Sequence, residues 1–278
     1  MAKRRKQNTS RDAPSSQSGA GRRPVALFAA AAVVLTLVAA VITGGLILAS
    51  SGGSGGGTGG QKSAVIVDQL ELTAPNPEFV SNTRALLSQN GYAVDYVAGV
   101  DVTVDFYRTL PSQGYDLVLL RVHAGITTEV DAATGERTGK EYVSLFTGEP
   151  YDESKYPAEQ LNRLGKARYT DDSDPLFGIG PRFVSDSMEG DFGGALVVMM
   201  GCDGLRTQTT AEAFLDKGAS SFVSWSKPVS STHTDEATET LLRYLLTDHL
   251  SVEEAVQQTA SELGPDPSYD GELRVLTG

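Results

Sequence analysis

The hydrophobic pattern changes character twice along the chain. Residues 25–49 (VALFAAAAVVLTLVAAVITGGLILA) carry no charge, and Thr36 and Thr43 are their only polar side chains. About 20 apolar residues suffice to cross a bilayer core, and a core helix would show a polar face that this run lacks. The run therefore predicts one transmembrane helix. Ala49 and Ser50 supply small residues of the kind found at signal-peptide cleavage sites, but the apolar core of a cleaved signal is only about 7–15 residues long. An uncleaved anchor is expected. Residues 50–61 (SSGGSGGGTGGQ) have nothing to bury and read as a flexible Gly/Ser linker.

From residue 62 to 278 the pattern becomes that of one folded domain. Apolar runs of strand length alternate with segments of helical period, the signature of a mostly parallel central sheet with helices on both faces. Strands are expected at 63–68, 92–97, 116–122, 195–201 and 219–225, with a short last one at 272–276. Helices are expected at 77–89, 207–217, 233–247 and 251–263, the last opened by a Ser251/Glu254 capping box. Gly91 and Gly218 stand where a helix must end. The runs LVLLRV and ALVVMM hardly alternate, as expected of neighbouring central strands buried on both faces.

The stretch 126–190 departs from this rhythm and reads as an insertion. It holds a hairpin-like segment, TTEVDAATGERTGKEYVSLF, with its turn near Thr134–Gly135, followed by prolines, glycines and acids. A hairpin plus loops over one end of the sheet is expected, and no internal repeat is visible.

Charge orients the chain. The net charge is −12, yet the first 24 residues hold seven basic residues against Asp12, or +6, which leaves −18 for the remainder. Positive flanks stay on the cytoplasmic side. Residues 1–24 thus form a basic cytoplasmic tail, and the domain lies outside the cytoplasm. So acidic a domain does not bind nucleic acid through its phosphates. Cys202 is the only cysteine, so no intrachain disulfide forms, and it is either a buried small hydrophobe or a thiol kept for chemistry.

Ligands of open α/β sheets bind beyond the carboxyl ends of the strands. His123 follows one apolar strand and Cys202 another. Adjacent strands lie about 4.8 Å apart, which would bring thiol and imidazole together for nucleophilic catalysis. Gly125 and the backbone N–H of Cys202 would line an oxyanion hole, and Gly201 and Gly204 would admit substrate close to the backbone.

Three segments, DLVLLRVHAG (116–125), ALVVMMGCDGL (195–205) and AEAFLDKGASSFVSW (211–225), with the tail LSVEEAVQQTA (250–260), resemble the caspase-like cysteine peptidases. That group contains caspases, clostripain, gingipains and CHAT domains. The resemblance spans most of 63–278 and implies a three-layer caspase-like sandwich. It casts His123 as proton carrier, Cys202 as nucleophile, and Trp225 with Ser226 to Ser231 as the wall of the substrate pocket. Two departures stand out: Ala124 separates His123 from Gly125, and Met199, Met200 and Gly201 precede the cysteine where basic-specific members carry an acid. Asp203 or Asp235 would then be the source of any negative pocket.

The resemblance implies a cysteine endopeptidase acting on peptide or protein substrates, and with the apolar run and basic tail a membrane-anchored, extracytoplasmic one without a cofactor is expected. A non-catalytic binding or sensing module of the same fold is the alternative. His233 sits in a helix-capping context and His249 at a helix end, both structural readings. Asp171, Asp172 and Asp174 offer oxygens to Ca²⁺ without the spacing of a calcium loop. No zinc-ligand spacing is present, and the only glycine-rich stretch lies in the linker, ahead of any core strand.

Overall fold

The computed structural model describes residues 61–278 except 132, 161 and 162. The basic tail, the expected membrane span 25–49 and nearly all of the linker lie outside the described residues. Among those described, no helix is long and apolar enough to cross a membrane.

The chain opens with β1 (Lys62–Asp68), α1 (Pro77–Gln89), β2 (Tyr92–Ala98), α2 (Val104–Thr109) and β3 (Leu117–Arg121). It continues through β4 (Ala124–Val130), β5 (Arg137–Pro150), β6 (Leu164–Ala167), β7 (Leu176–Ile179) and α3 (Pro181–Asp186). It closes with β8 (Leu196–Met199), α4 (Thr209–Asp216), β9 (Ser221–Trp225), α5 (Ser231–Leu246), α6 (Val252–Leu263) and β10 (Leu273–Thr277).

Six strands form a sheet in the order β10-β9-β8-β3-β1-β2. All its neighbours are parallel except β10, which runs antiparallel to β9. The two strands with the least polar alternation are neighbours, Leu117–Leu120 pairing with Leu196–Met199. Alternate residues feed two cores, as a period of two requires. Val65, Val67, Val118, Leu120, Val197 and Met199 pack with Tyr107 of α2, Phe183 of α3 and Phe214 of α4. Ala64, Ile66, Leu117, Leu119 and Val198 pack with Phe79 of α1, Leu241 of α5 and Val256 of α6. The result is a mixed α/β fold with helices on each face of a mostly parallel sheet.

Local signals set the helix ends. Asn76 caps α1 by accepting the Phe79 N–H, with Pro77 in the first turn. Ser251 and Glu254 form the reciprocal capping box of α6. Gly91 and Gly218 follow α1 and α4 with φ of +84° and +93°, a region that side chains with a Cβ rarely adopt.

The insertion is more ordered than a hairpin and loops. β4 and β5 are the expected hairpin, but β7 and β6 extend it into an antiparallel sheet ordered β4-β5-β7-β6. Val143, Leu145, Phe177 and Ile179 carry its inner face into the core that holds α2–α4. β6 and β7 have only four residues each, too short for periodicity to separate them from loop. The short helices α2 and α3 were hidden for the same reason.

Candidate active site

The strand order reverses at β1, with β2 on one side and β3 on the other. Such a reversal opens a crevice at the carboxyl ends of the strands, and a cleft of about 490 Å³ lies there. Its wall takes Thr73 from the turn after β1, His123 from beyond β3, Cys202 from beyond β8 and Val229 from beyond β9. Both His123 and Cys202 are half-buried.

His123 is held from three sides. Its backbone N–H donates to Gln69 Oε1 at 2.9 Å, its carbonyl accepts from Phe146 N–H, and its Nε2 lies 2.8 Å from Thr73 Oγ1. The ring packs edge-on to Tyr169 with centroids 5.0 Å apart. Burial pushes the imidazole below its ordinary pKa, and the nearby Arg121 charge adds to the effect.

Cys202 Sγ contacts the Val229 carbonyl oxygen at 3.6 Å. Burial pushes its thiol pKa up, the Val229 backbone works in the opposite direction, and the carboxylates of Asp203 and Asp266 add to the rise. Thiol and imidazole are therefore both neutral at pH 7 in the resting site. Among the described residues no hydrogen bond joins them: Sγ contacts the Val229 carbonyl and Nε2 the Thr73 hydroxyl.

Beneath the cleft lies a buried ion triad. Arg121, fully buried, donates from Nε and Nη2 to Asp235, from Nη1 to Asp68 at 2.7 Å, and from Nη2 to the Ala74 carbonyl. Asp235 also accepts from Asn76 Nδ2, and Asp68 from Tyr96. One guanidinium thus joins β1, β3, α5 and the turn that carries Thr73, two residues before the catalytic candidate His123. Desolvation by burial and the Asp68 carboxylate push the Tyr96 hydroxyl up to about 12.

Asp203, Trp225, Ser226, Asp235 and Gly125 fall outside the cleft wall. Asp235 is committed to Arg121. Trp225 is buried and donates from Nε1 to Thr234 Oγ1 at 2.9 Å. Ser226 closes the β9–β10 end through Glu272, and Asp203 turns beneath the cysteine with φ +60° and its carboxylate 3.6 Å from Arg206 Nη1. Of the loop after β9, Pro228 to Ser231 line the cleft. Gly125 lies inside β4 opposite Ser144, so the Cys202 N–H is the oxyanion donor candidate that stays at the cleft.

Gly201 lines the cleft and Gly204 does not. A Cβ on Gly201 would run into the Val122 carbonyl oxygen, and one on Gly204 into the Ser224 hydroxyl. Both positions admit close packing of neighbouring backbone or side-chain atoms.

His233 is buried against Trp225, with ring centroids 5.3 Å apart. His249 follows α5 with φ +55°. Asp171, Asp172 and Asp174 are exposed, and among the described residues no three His, Cys, Asp or Glu side chains gather to hold a metal ion.

Thr73 and Tyr269, which line the cleft, and Gln69 and Tyr169, which hold His123, are residues that the sequence did not single out. They lie in turns without a motif. Arg121 did carry a signal, because a charge inside an otherwise apolar central strand must have a buried partner.

No family model and no curated protein matches the chain. Among solved structures, protein GSU0716 from Geobacter sulfurreducens is similar with a TM-score of 0.37 and 12% identity, covering 77% of this chain and 93% of that one. A likeness that slight transfers neither fold nor function.

Proposed function

We propose that the chain is a membrane-anchored, extracytoplasmic cysteine endopeptidase of the caspase-like kind. The observation that carries this reading is the shared cleft: His123 and Cys202 stand at the carboxyl ends of adjacent strands, on one wall open to solvent. Helices on both sheet faces and the order of strand, histidine, inserted sheet, strand, cysteine support the three-layer caspase-like assignment.

Two neutral partners suit general-base attack. With Nε2–H donating to Thr73 Oγ1, Nδ1 keeps the lone pair that takes the thiol proton as Sγ bonds to the peptide carbonyl carbon. The oxyanion faces the Cys202 N–H. The imidazolium then protonates the leaving amine, giving a thioester that water hydrolyses with the same imidazole as base. Hydrogen bonds of this kind often form only with substrate bound, so the resting contact of Cys202 Sγ with the Val229 carbonyl would yield during attack while Thr73 keeps the ring oriented.

The uncharged run 25–49 supports an anchor and the basic tail 1–24 an inward amino end. The tether confines substrates to the cell surface or envelope.

A non-catalytic recognition module of the same fold is favoured by one observation, the absence of a thiol–imidazole hydrogen bond among the described residues. A peptide-library cleavage assay on the full chain in detergent, under reducing conditions, separates the two. Cleavage by the wild type that vanishes in Cys202→Ala is the expected result. No cleavage with or without Ca²⁺ would leave the recognition module.

A further inference from the structure

We infer that the cleft accepts a peptide side chain without charge, of about the size of leucine or methionine; this rests on reading the cleft as the substrate site. Among the described residues no Asp, Glu, Lys or Arg side chain lines it. Tyr269, Ala74 and Pro228 supply partly exposed apolar surface above the buried Leu70, Val122, Met200 and Val229. Besides His123, Cys202 and Tyr269, the polar side chains are the hydroxyls of Thr73, Ser230, Ser231 and Thr234, of which Ser230 is bonded to Asp266 and Thr234 to Trp225 and the Met200 carbonyl.

The ionisable groups just outside the wall are already committed. Asp68 and Asp235 share Arg121. Asp266 accepts from Ser230 N–H and Oγ on one oxygen and from the Ser268 and Tyr269 N–H groups on the other. Asp203 is the exception, since among the described residues its buried Oδ1 makes no hydrogen bond and has Arg206 Nη1 at 3.6 Å. It does not line the cleft, and its backbone is locked by a bond to the Lys227 carbonyl. A lysine, arginine or aspartate side chain entering here would lose water without gaining an opposite charge, whereas an apolar one gains by burial.

Tyr269 sets the outer edge. It is 53% exposed, yet its backbone is fixed by Asp266 at 2.8 Å. A rigidly placed, exposed aromatic ring at the mouth of an apolar cleft is a surface for an incoming apolar side chain.

The test uses the full chain in detergent with three fluorogenic peptides, acetyl-Ala-Ala-Ala-X-aminomethylcoumarin, where X is Leu, Arg or Asp. The Leu peptide should exceed both charged ones in kcat/KM by about tenfold or more. Arg or Asp equalling or beating Leu overturns the inference. Tyr269→Glu, a change at an exposed position, should lower the Leu value about fivefold and raise the Arg value. If Asp203 read a basic residue, Arg would lead in the wild type and lose its lead in Asp203→Asn, which also overturns the inference. Should no peptide be cleaved, the peptidase reading fails on its own. Fluorescence anisotropy with labelled Ala-Ala-Ala-X peptides on Cys202→Ala then decides the side-chain class. Leu binding about tenfold tighter than Arg and Asp sustains it, and equal or weaker binding overturns it.

Discussion

Thr73 Oγ1 lies 2.8 Å from His123 Nε2, so a hydroxyl from the turn after β1 orients the imidazole that follows β3. The two residues are 50 apart in sequence, and the Arg121 triad fixes the geometry by binding the Ala74 carbonyl next to Thr73. Removing the hydroxyl should free the ring to rotate. Thr73→Val is expected to lower kcat/KM roughly tenfold and to displace the acidic limb of the pH–rate profile, while Thr73→Ser restores both. Loss of rate with an unmoved profile would assign Thr73 a packing role only.

The neutral resting dyad makes a second prediction. Burial holds the Cys202 thiol above its ordinary pKa and the His123 imidazole below its own. Iodoacetamide labelling of Cys202 should therefore be slow at pH 7 and climb through the alkaline range. Labelling already maximal near neutrality would mean a preformed thiolate–imidazolium pair and would contradict base-assisted attack.

Stability should follow His123 in the acid direction. A depressed folded pKa means that the unfolded chain takes up its proton first, at about pH 6.5. The neutral imidazole's contribution is whole above that pH and is lost as pH falls toward the folded value. The urea midpoint of the wild type should thus drop faster between pH 7 and 5 than that of His123→Gln. Parallel curves for the two proteins would show that the imidazole is not held neutral.

Much of this arrangement was legible from apolar runs and their punctuation. Central strands such as LVLLR and LVVM show no polar alternation because both faces are covered, and that property alone made them neighbours with His123 and Cys202 at one rim. The inserted sheet was only half visible: β4 and β5 announce themselves around a turn, whereas Leu164–Ala167 and Leu176–Ile179 are too short to show a period. Asp235 looked available for substrate because a sequence shows an acid but not its counter-ion. Only the fold brings Arg121 to it across 114 positions. Gly201 shows a second constraint that a sequence hides, a tight approach to the Val122 carbonyl just beyond β3.

The Arg121 triad predicts a graded series in stability. Asp68 and Asp235 are almost wholly buried, so Arg121→Met leaves two carboxylates without their cation and should cost about 3–5 kcal/mol in urea unfolding. Neutralising all three at once, with Asp68→Asn, Arg121→Met and Asp235→Asn, removes the uncompensated charge and should recover a large part of that loss. A triple variant no more stable than the single one would mean that the hydrogen-bond geometry, rather than charge balance, holds the strand ends together.

Gly201 supplies a last, sharper test of how closely the cysteine turn is built. An added methyl group there meets the Val122 carbonyl oxygen just beyond β3, a fixed backbone atom that cannot swing away. Gly201→Ala must therefore displace either the turn bearing Cys202 or the segment bearing His123. Expected outcomes are a loss of about 1–3 kcal/mol, typical of overpacking, and a cysteine labelling rate altered at every pH without a shift of its midpoint. An unchanged protein would show that the two strand ends are looser than this contact requires, and the dyad would then lack the rigid base that catalysis needs.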